Sequence, residues 1–240
     1  MKTQTLYNNL ARYYDLIYSW KNYRKEAETI RRLIAKHKES KGNDLLEVAC
    51  GTGGHIQCLK DDFRATGTDI SNGMLGVARK KVKGVRFLQA DMVTLNLGRE
   101  FDVIICLFSS IGYVKTHAGL KKTLQNFARH LKNGGVVIIE PWFTKRGYTK
   151  GRPHMATYGD DDTKIARMNV ARVRGDISVM DMHYFIAERN KGVKCFVDRH
   201  ELRMVEPQRI LEFMREAGLR AKFVKEGLMD GRGLYIGVKA

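Results

Sequence analysis

The spacing of hydrophobic and polar positions predicts strands that alternate with helices through the middle of the chain. Short apolar runs predict strands at 44–48, 65–69, 85–90, 101–107 and 136–139. The run at 101–107, Phe-Asp-Val-Ile-Ile-Cys-Leu, is nearly continuous, which is typical of a strand covered on both faces. Helical spacing between the runs predicts helices at 54–60, 72–82 and 117–131. Such alternation indicates a doubly wound, parallel sheet.

The two ends of the chain carry different patterns. Before the first strand, two helices are predicted at about 5–19 and 22–38, the first rich in tyrosine. After Pro141, alternating positions and two turn sequences predict three more strands, at 163–172, 177–187 and 193–204. A helix and two strands then follow, at 207–217, 220–225 and 233–239. The predicted fold class is therefore α/β, a doubly wound and mostly parallel sheet with a small antiparallel β insertion after its fifth strand.

Composition narrows the class of protein. The chain has 240 residues, 43% of them hydrophobic, which is enough for a sizeable core. No apolar stretch is long enough to span a membrane, and the first residues lack the apolar run of a secretory signal. The four cysteines show neither CxxC spacing nor a disulfide framework, at positions 50, 58, 106 and 195. These features predict a cytoplasmic protein without a metal site.

The net charge of the chain does not identify its partner. The 43 Lys and Arg residues exceed the 26 Asp and Glu residues, giving a net charge of +17. A nucleic-acid partner, an anionic substrate and a lysine-rich surface are all consistent with this excess. No added nucleic-acid-binding module is visible, so we expect no nucleic-acid partner, although the charge alone does not exclude one.

The sharpest chemical signal is a glycine-rich turn after the first predicted strand. It reads Glu47-Val-Ala-Cys-Gly51-Thr-Gly53, and Asp69 follows at the end of the second strand, where it can bind ribose hydroxyls. A dinucleotide fingerprint would require glycine where this chain has Ile56. An acidic residue four positions before the first glycine instead suits a ligand with a positively charged amino group. These features favour S-adenosylmethionine as the cofactor.

This motif resembles that of the class I methyltransferases, and the resemblance covers nearly the whole chain. It implies a Rossmann-like sheet of seven strands. It also implies cofactor contacts from Tyr23, Glu47, Ala49, Gly51, Gly53, Asp69, Ile70, Met74, Asp91, Met92 and Leu107.

The implied contacts divide among the parts of the cofactor. Glu47 contacts the amino group and Tyr23 the carboxylate of the methionine end, which the loop 49–53 holds. Asp69 binds the ribose, and Leu107 gives a backbone contact near the sulfonium. The remaining residues surround the adenine, with Asp91 receiving its amino group: Ile70, Met74, Asp91 and Met92.

A narrower resemblance rests on four segments, 14–18, 108–113, 134–142 and 231–237. They look like those of the N,N-dimethyltransferases that act on nucleotide-linked amino sugars of the desosamine and mycaminose type. By this resemblance Tyr18 and Tyr113 face the amine and orient it. A phenol with a pKa near 10 is a poor base, so orientation is the expected role. The implied substrate contacts are Tyr14, Trp142 and Arg232.

The same resemblance implies a division of the chain. Residues 1–40 would form helices that cover the active site, and 41–143 the cofactor-binding core. Residues 144–205 would form the β insertion, which covers the substrate and pairs two copies into a homodimer. Residues 206–240 would complete the core sheet.

One departure from the sugar enzymes keeps alternatives open. Those enzymes carry an arginine before the Asp-x-His segment at 181–183, where this chain has Val179. The candidates to replace it are Arg167, Arg172 and Arg174. Within the strand at 177–187, His183 is expected to be a buried core histidine. The leading hypothesis is N-methylation of a small-molecule amine, with methylation of RNA or a protein, or O-methylation of a small molecule, as alternatives.

Overall fold

The computed structural model describes Tyr7 and residues 10–240. Six α-helices occur there: α1 Tyr14–Ile17, α2 Tyr23–His37, α3 Gly54–Leu59, α4 Asn72–Lys81, α5 His117–Arg129 and α6 Pro207–Glu216. The strands are β1 Asp44–Val48, β2 Arg64–Asp69, β3 Arg86–Gln89, β4 Phe101–Cys106, β5 Leu131–Ile139, β6 Pro153–Gly159, β7 Thr163–Arg174, β8 Ile177–Glu188, β9 Gly192–Arg203, β10 Leu219–Val224 and β11 Leu234–Lys239. Among these described residues, no helix is both long and apolar enough to cross a membrane.

The main sheet has seven strands in the order β10-β11-β5-β4-β1-β2-β3. Its members run parallel except β11, which is antiparallel to both of its neighbours. Alternate residues of each central strand face opposite layers of helices. Leu46 packs in the layer that holds α5 and α6, whereas Leu45 packs in the layer that holds α2. Burial on both faces explains the nearly continuous apolar runs and confirms the predicted fold class.

The insertion is a separate antiparallel sheet in the order β6-β7-β8-β9. Three of its strands match the predicted ones closely, including the turns at 174–176 and 190–192. The fourth, β6, was not predicted. Most of its residues are exposed, because it is an edge strand, so no buried alternation marks it in the sequence.

The first helix is much shorter than predicted. Instead of a helix over 5–19, a 3-10 turn at Ala11–Tyr13 leads into α1, which ends at Ile17. Residues 5, 6, 8 and 9 of the predicted helix lie outside the described residues. This segment packs its aromatic side chains against two different elements, Met74 of α4 and Tyr184 of β8. It therefore lies between the cofactor side of the main sheet and the second sheet.

Gly134 of β5 packs closely against the backbone of Ser40, and a substitution there tests this contact. It has a φ of 72°, and an added Cβ would lie 2.8 Å from the backbone nitrogen of Ser40. We expect Gly134→Ala to lower the free energy of unfolding by about 2–4 kcal/mol, because left-handed strain and a backbone collision add. Gly175→Ala is the matched control, since Gly175 has a φ of 60° with nothing within 4 Å of its added Cβ.

Gly175→Ala should cost only the strain, about 1 kcal/mol. Urea denaturation of both variants measures the difference. Equal losses in the two variants would show that the Ser40 contact contributes nothing.

Candidate active site

The loop after β1 lies at the carboxyl edge of the sheet, in an open conformation. Three of its residues have left-handed backbone: Ala49, Gly51 and Gly53, with φ of 57°, 55° and 75°. An added Cβ on Gly51 would meet nothing within 4 Å, so space is open beside the backbone. The backbone is therefore accessible to a ligand at this point.

Asp69 holds this loop in place. The side chain lies at the end of β2 and is buried. Its carboxylate accepts hydrogen bonds from the backbone N–H groups of Gly51, at 2.9 Å, and Ser71, at 2.8 Å. Burial raises the pKa of Asp69, and these N–H groups oppose that rise. Gly51 and Asp69, 18 residues apart in sequence, are thus joined by a direct contact. The binding of ribose by Asp69 stays a prediction.

A buried group of four charged side chains lies beneath the loop; we call it the charge cluster. Lys21 Nζ lies 2.6 Å from Glu26 Oε2, and His55 Nε2 lies 2.7 Å from the same oxygen. His55 Nδ1 lies 3.1 Å from Glu47 Oε1. Burial alone would lower the pKa of His55, but its two glutamates raise it to about 9. His55 is therefore a cation at neutral pH.

The second oxygen of Glu47 is the unsatisfied atom of the cluster. Glu47 Oε2 is buried and has no hydrogen-bond partner among the residues that the structure describes. A buried carboxylate oxygen without a partner is costly, so a ligand donor at this point would be stabilising. This observation fits a cofactor with an ammonium group.

Tyr23 covers the start of α3. Its ring lies so close to Gly54 that an added Cβ there would be 2.6 Å from Cε1 of the ring. It also packs edge-on against His55, with ring centroids 4.9 Å apart. Asp15 reaches the loop from the other side, because it accepts hydrogen bonds from Thr52 Oγ1 and Lys81 Nζ, both at 2.6 Å. The segment from Asp15 to Glu26, which precedes β1 in sequence, thus lies over the loop; we call this segment the cover.

A cleft of about 970 Å³ opens beside this cover. Tyr18, Tyr23, Gly54 and Lys81 are among the residues that line it. Its lining contains neither Glu47 nor Gly51 of the predicted cofactor site, and neither Asp69 nor Asp91. The cleft therefore borders the cover rather than the glycine loop.

The residues predicted to surround adenine follow β2 and β3. Ala90 N donates to Asp69 O at 3.0 Å, which makes the ends of these strands neighbours. Ile70 is partly exposed and Met74 is buried. Asp91 Oδ1 accepts from Val93 N at 2.9 Å, and the Met92 carbonyl accepts from Asn126 Nδ2 at 3.1 Å.

Strained backbone follows β4. Phe108 and Ser109 have φ of 51° and 62°. The carbonyl of Leu107 already accepts from Ser110 Oγ at 2.9 Å. Glu140, at the end of β5, accepts from Phe108 N at 2.6 Å and so fixes this turn.

The predicted amine-side tyrosines belong to one aromatic cluster. The ring centroids of Tyr14 and Tyr18 lie 4.6 Å apart, and Tyr18 meets Phe108 edge-on at 5.2 Å. Tyr7, whose ring lies 6.1 Å from that of Tyr14, connects this pair to Tyr113. The hydroxyl oxygens of Tyr7 and Tyr113 are 2.7 Å apart. Burial raises the pKa of Tyr113 well above 10, so its side chain is a phenol at neutral pH.

Trp142 and Arg232 pack together beside the turn after β4. The guanidinium of Arg232 lies 4.7 Å from the Trp142 ring centroid and donates to Ser109 Oγ at 3.0 Å. The carboxylate of Glu140 lies 4.0 Å from this guanidinium. Trp142 Nε1 donates to Ser178 Oγ of β8 at 2.8 Å. The two sheets therefore meet at this corner.

The three arginines that could replace the one absent at Val179 have different partners in the structure. Arg172 is paired with Asp181 and Arg174 with Glu201, both near the surface. Arg167 instead donates to the hydroxyl of Tyr18 at 2.9 Å and has no ion pair among the described residues. Arg167 is thus the one that reaches the aromatic cluster.

The predicted burial of His183 is wrong, and several other residues of the site were not predicted. His183 is exposed, because its side chain points to the outer face of β8, and is not a core histidine. The roles of Lys21, Glu26 and His55 in the charge cluster were not predicted, nor was the contact of His200 with Tyr113. No sequence motif marks them. A buried lysine and a buried histidine can be recognised only when the carboxylates that contact them in the fold are known.

Comparison with known proteins identifies the family. A model of the methyltransferase domain matches residues 45–135. Over 230 residues, the chain is 35% identical to the dTDP-3-amino-3,4,6-trideoxy-alpha-D-glucopyranose N,N-dimethyltransferase of Streptomyces venezuelae, covering 95% of this chain and 96% of the relative. It is 32% identical, over 95% of this chain and 90% of the relative, to the dTDP-3-amino-3,6-dideoxy-alpha-D-glucopyranose N,N-dimethyltransferase of Streptomyces fradiae.

The chain belongs to the sugar N,N-dimethyltransferase family of class I S-adenosylmethionine-dependent methyltransferases. Solved structures agree. The crystal structure of Streptomyces venezuelae DesVI superposes with a TM-score of 0.90 at 34% identity, covering 96% of this chain and 98% of that one. The sugar N-methyltransferase KedS8 from Streptoalloteichus gives 0.87 at 32% identity, covering 94% and 92%. The protein is thus an S-adenosylmethionine-dependent N-methyltransferase.

The methyltransferase contains no candidate metal centre among its described residues. No group of three or more His, Cys, Asp or Glu side chains is close enough there to hold an ion. S-adenosylmethionine, by contrast, fits the residues present, because Glu47 Oε2 is a buried acceptor and the space above Gly51 is open.

The raised pKa of His55 makes the stability of the methyltransferase depend on pH. A raised pKa in the folded state stabilises fully below the unfolded value, and that contribution is lost as pH rises through the folded value. We expect His55→Gln to destabilise the protein at pH 6. The difference from wild type should shrink by about 3 kcal/mol between pH 6 and pH 10, since the pKa rises from 6.5 to about 9.

Urea denaturation at pH 6, 8 and 10 measures this difference, with the exposed His154→Gln as control. A wild-type-to-variant difference that stays constant with pH would contradict the assignment of a protonated His55.

Proposed function

We propose that this methyltransferase methylates the amino group of a sugar carried by a nucleoside diphosphate. The observation that carries the proposal is the match, over nearly the full length of both chains, to N,N-dimethyltransferases whose substrates are of this kind. The aromatic cluster supports it, because Tyr14, Tyr18 and Tyr113 lie together and can enclose a small amine.

The cofactor is proposed to lie across the carboxyl edge of the sheet. Glu47 Oε2 receives its ammonium group, because this oxygen is buried and has no other hydrogen-bond partner in the described part of the chain. Tyr23 contacts the carboxylate and Asp69 the ribose hydroxyls. The other proposed contacts are the loop residues Ala49, Gly51 and Gly53, the adenine-side residues Ile70, Met74, Asp91 and Met92, and the backbone of Leu107.

The bound cofactor supplies a methyl group activated by a positively charged sulfur. What the protein must add is position and the exclusion of water, since an in-line displacement needs a neutral amine whose lone pair points at the methyl group. The cover formed by Asp15 and Tyr23 closes over the loop and serves this exclusion. Tyr18 and Tyr113 orient the amine. Neither acts as a base in this proposal, and the raised pKa of Tyr113 agrees with that role.

Two cations near the aromatic cluster suit a substrate with a diphosphate. Arg167 donates to Tyr18 and has no carboxylate within ion-pair distance in the described chain. Arg232 is packed against Trp142, with Glu140 4.0 Å away as its partial counterion. We propose that these guanidinium groups attract the diphosphate, a role for which arginine geometry is well suited. Tyr14 and Trp142 then line the sugar site.

The second sheet is proposed to pair two copies of the chain. Its outer face exposes large apolar side chains: Met155, Met168, Val170, Phe185, Val193 and Val197. A contiguous apolar face of this kind is typical of an interaction surface.

The cytoplasmic location expected from the sequence stays a prediction.

A methyl-transfer assay with tritiated S-adenosylmethionine tests the proposed substrate. The acceptors are dTDP-linked 3-amino and 4-amino sugars, the same sugars without the nucleotide, simple amines and total RNA. We expect label in a nucleotide-linked amino sugar, and much less in the free sugar because the arginines lose the diphosphate.

Asp69→Ala should weaken cofactor binding about 10-fold or more and lower labelling at limiting cofactor, whereas Asp162→Ala, an exposed carboxylate between β6 and β7, should not. Label confined to RNA would refute the sugar proposal and assign the function to the excess positive charge.

A further inference from the structure

His200 is a buried histidine of β9 in contact with the amine-side tyrosines. Its Nδ1 lies 2.7 Å from the hydroxyl oxygen of Tyr113. That oxygen lies 2.7 Å from the hydroxyl oxygen of Tyr7, and the Tyr7 ring meets the imidazole edge-on at 5.5 Å. One imidazole and two phenols therefore form a continuous hydrogen-bonded chain that ends in the aromatic cluster.

The tautomer of His200 decides which group donates and which accepts in each of these hydrogen bonds. Asp198 Oδ2 lies 3.6 Å from His200 Nε2. This distance is too long for a hydrogen bond, and Nε2 has no hydrogen-bond partner among the described residues. The negative charge of the Asp198 carboxylate nevertheless favours a proton on Nε2 over a lone pair there. A neutral imidazole with its proton on Nε2 carries a lone pair on Nδ1, so Nδ1 must accept the hydrogen bond from Tyr113.

The surroundings keep the imidazole neutral. Burial and the nearby guanidinium of Arg167 lower the pKa of His200 to about 4. The titratable and charged groups that face it are Tyr113 from the turn after β4, Tyr7 from the N-terminal segment, Arg167 from β7 and Asp198 from β9. Of these, Arg167 opposes protonation and Asp198 favours it.

When Nδ1 of His200 accepts a hydrogen bond, the phenol protons of Tyr113 and Tyr7 are both used in hydrogen bonds within this series. Tyr113 gives its only proton to His200, so the hydrogen bond between the phenols must be donated by Tyr7. Both oxygens then present only lone pairs to a substrate. The opposite direction would leave a phenol proton free to bind the lone pair of the amine, which is the electron pair that attacks the methyl group.

We propose that His200 is a positioning residue for methyl transfer, which fixes Tyr113 and Tyr7 as hydrogen-bond acceptors toward the substrate amine. The amine N–H groups are bound by these oxygens, and the nitrogen lone pair remains free to attack. This inference rests on the proposed function for the position of the amine beside Tyr113, but the tautomer of His200 can be tested without any substrate.

The first test is nuclear magnetic resonance of the full-length protein labelled with ¹⁵N in its histidine rings. The His200→Asn spectrum identifies the His200 signals by their loss. We expect Nδ1 of His200 to be unprotonated and Nε2 protonated throughout pH 6–8. A proton on Nδ1 in this range, in either the other tautomer or an imidazolium, would overturn the proposal.

The second test uses whichever amine the protein methylates, so it does not depend on the sugar assignment. Leucine cannot accept a hydrogen bond, whereas the side-chain oxygen of asparagine can replace Nδ1. We expect His200→Leu to lower kcat about 10-fold or more with little change in cofactor affinity. His200→Asn should restore turnover to within about threefold of wild type, since it keeps the acceptor.

The decisive comparison repeats His200→Leu in a protein that already carries Tyr113→Phe. Without the Tyr113 hydroxyl, His200 has nothing to orient, so His200→Leu should cause no further loss of kcat in this variant. An equal loss in both backgrounds, or an Asn variant as impaired as the Leu variant, would show that His200 has only a packing role. If His200→Leu does not fold, the Asn variant and the spectra still decide the question.

Discussion

The buried charge cluster is the interaction on which the arrangement of the site depends. Lys21 and Glu26 belong to the cover, His55 to α3 and Glu47 to β1, so the cluster joins three elements that the chain brings together from separate segments. Buried charges are costly unless they are paired, and here each cation has a carboxylate partner. Moving the cover would leave charges unpaired in the interior, so the cluster holds the cover over the glycine loop.

The same cluster explains how the site can bind a charged cofactor. Glu47 gives one oxygen to His55, and its other oxygen has no partner within residues 10–240 or at Tyr7. The protonated histidine keeps Glu47 oriented while the free oxygen offers a site for a positive group. On the substrate side, the hydrogen-bonded series from His200 sets the direction in which the neutral phenols of Tyr113 and Tyr7 can act.

The sequence predicted those parts of the site that are local. The loop between β1 and α3, and Asp69 at the end of β2, follow from glycine positions and strand order alone. Contacts between distant segments could not be predicted, because nothing in the sequence links them. His200 and Tyr113 are 87 positions apart, and His55 and Glu26 are 29 apart. The short α1 was missed for a similar reason, since its tyrosines pack against the second sheet instead of continuing a helix.

The most direct test of this account is the affinity of Glu47→Gln for S-adenosylmethionine, measured by calorimetry at pH 7. The substitution keeps the size of the side chain and removes its charge, and Glu226→Gln, on the surface, is the matched control. The account predicts binding weakened about 10-fold or more in Glu47→Gln alone, because a charge-assisted hydrogen bond is lost. Unchanged affinity in a folded Glu47→Gln protein would contradict it.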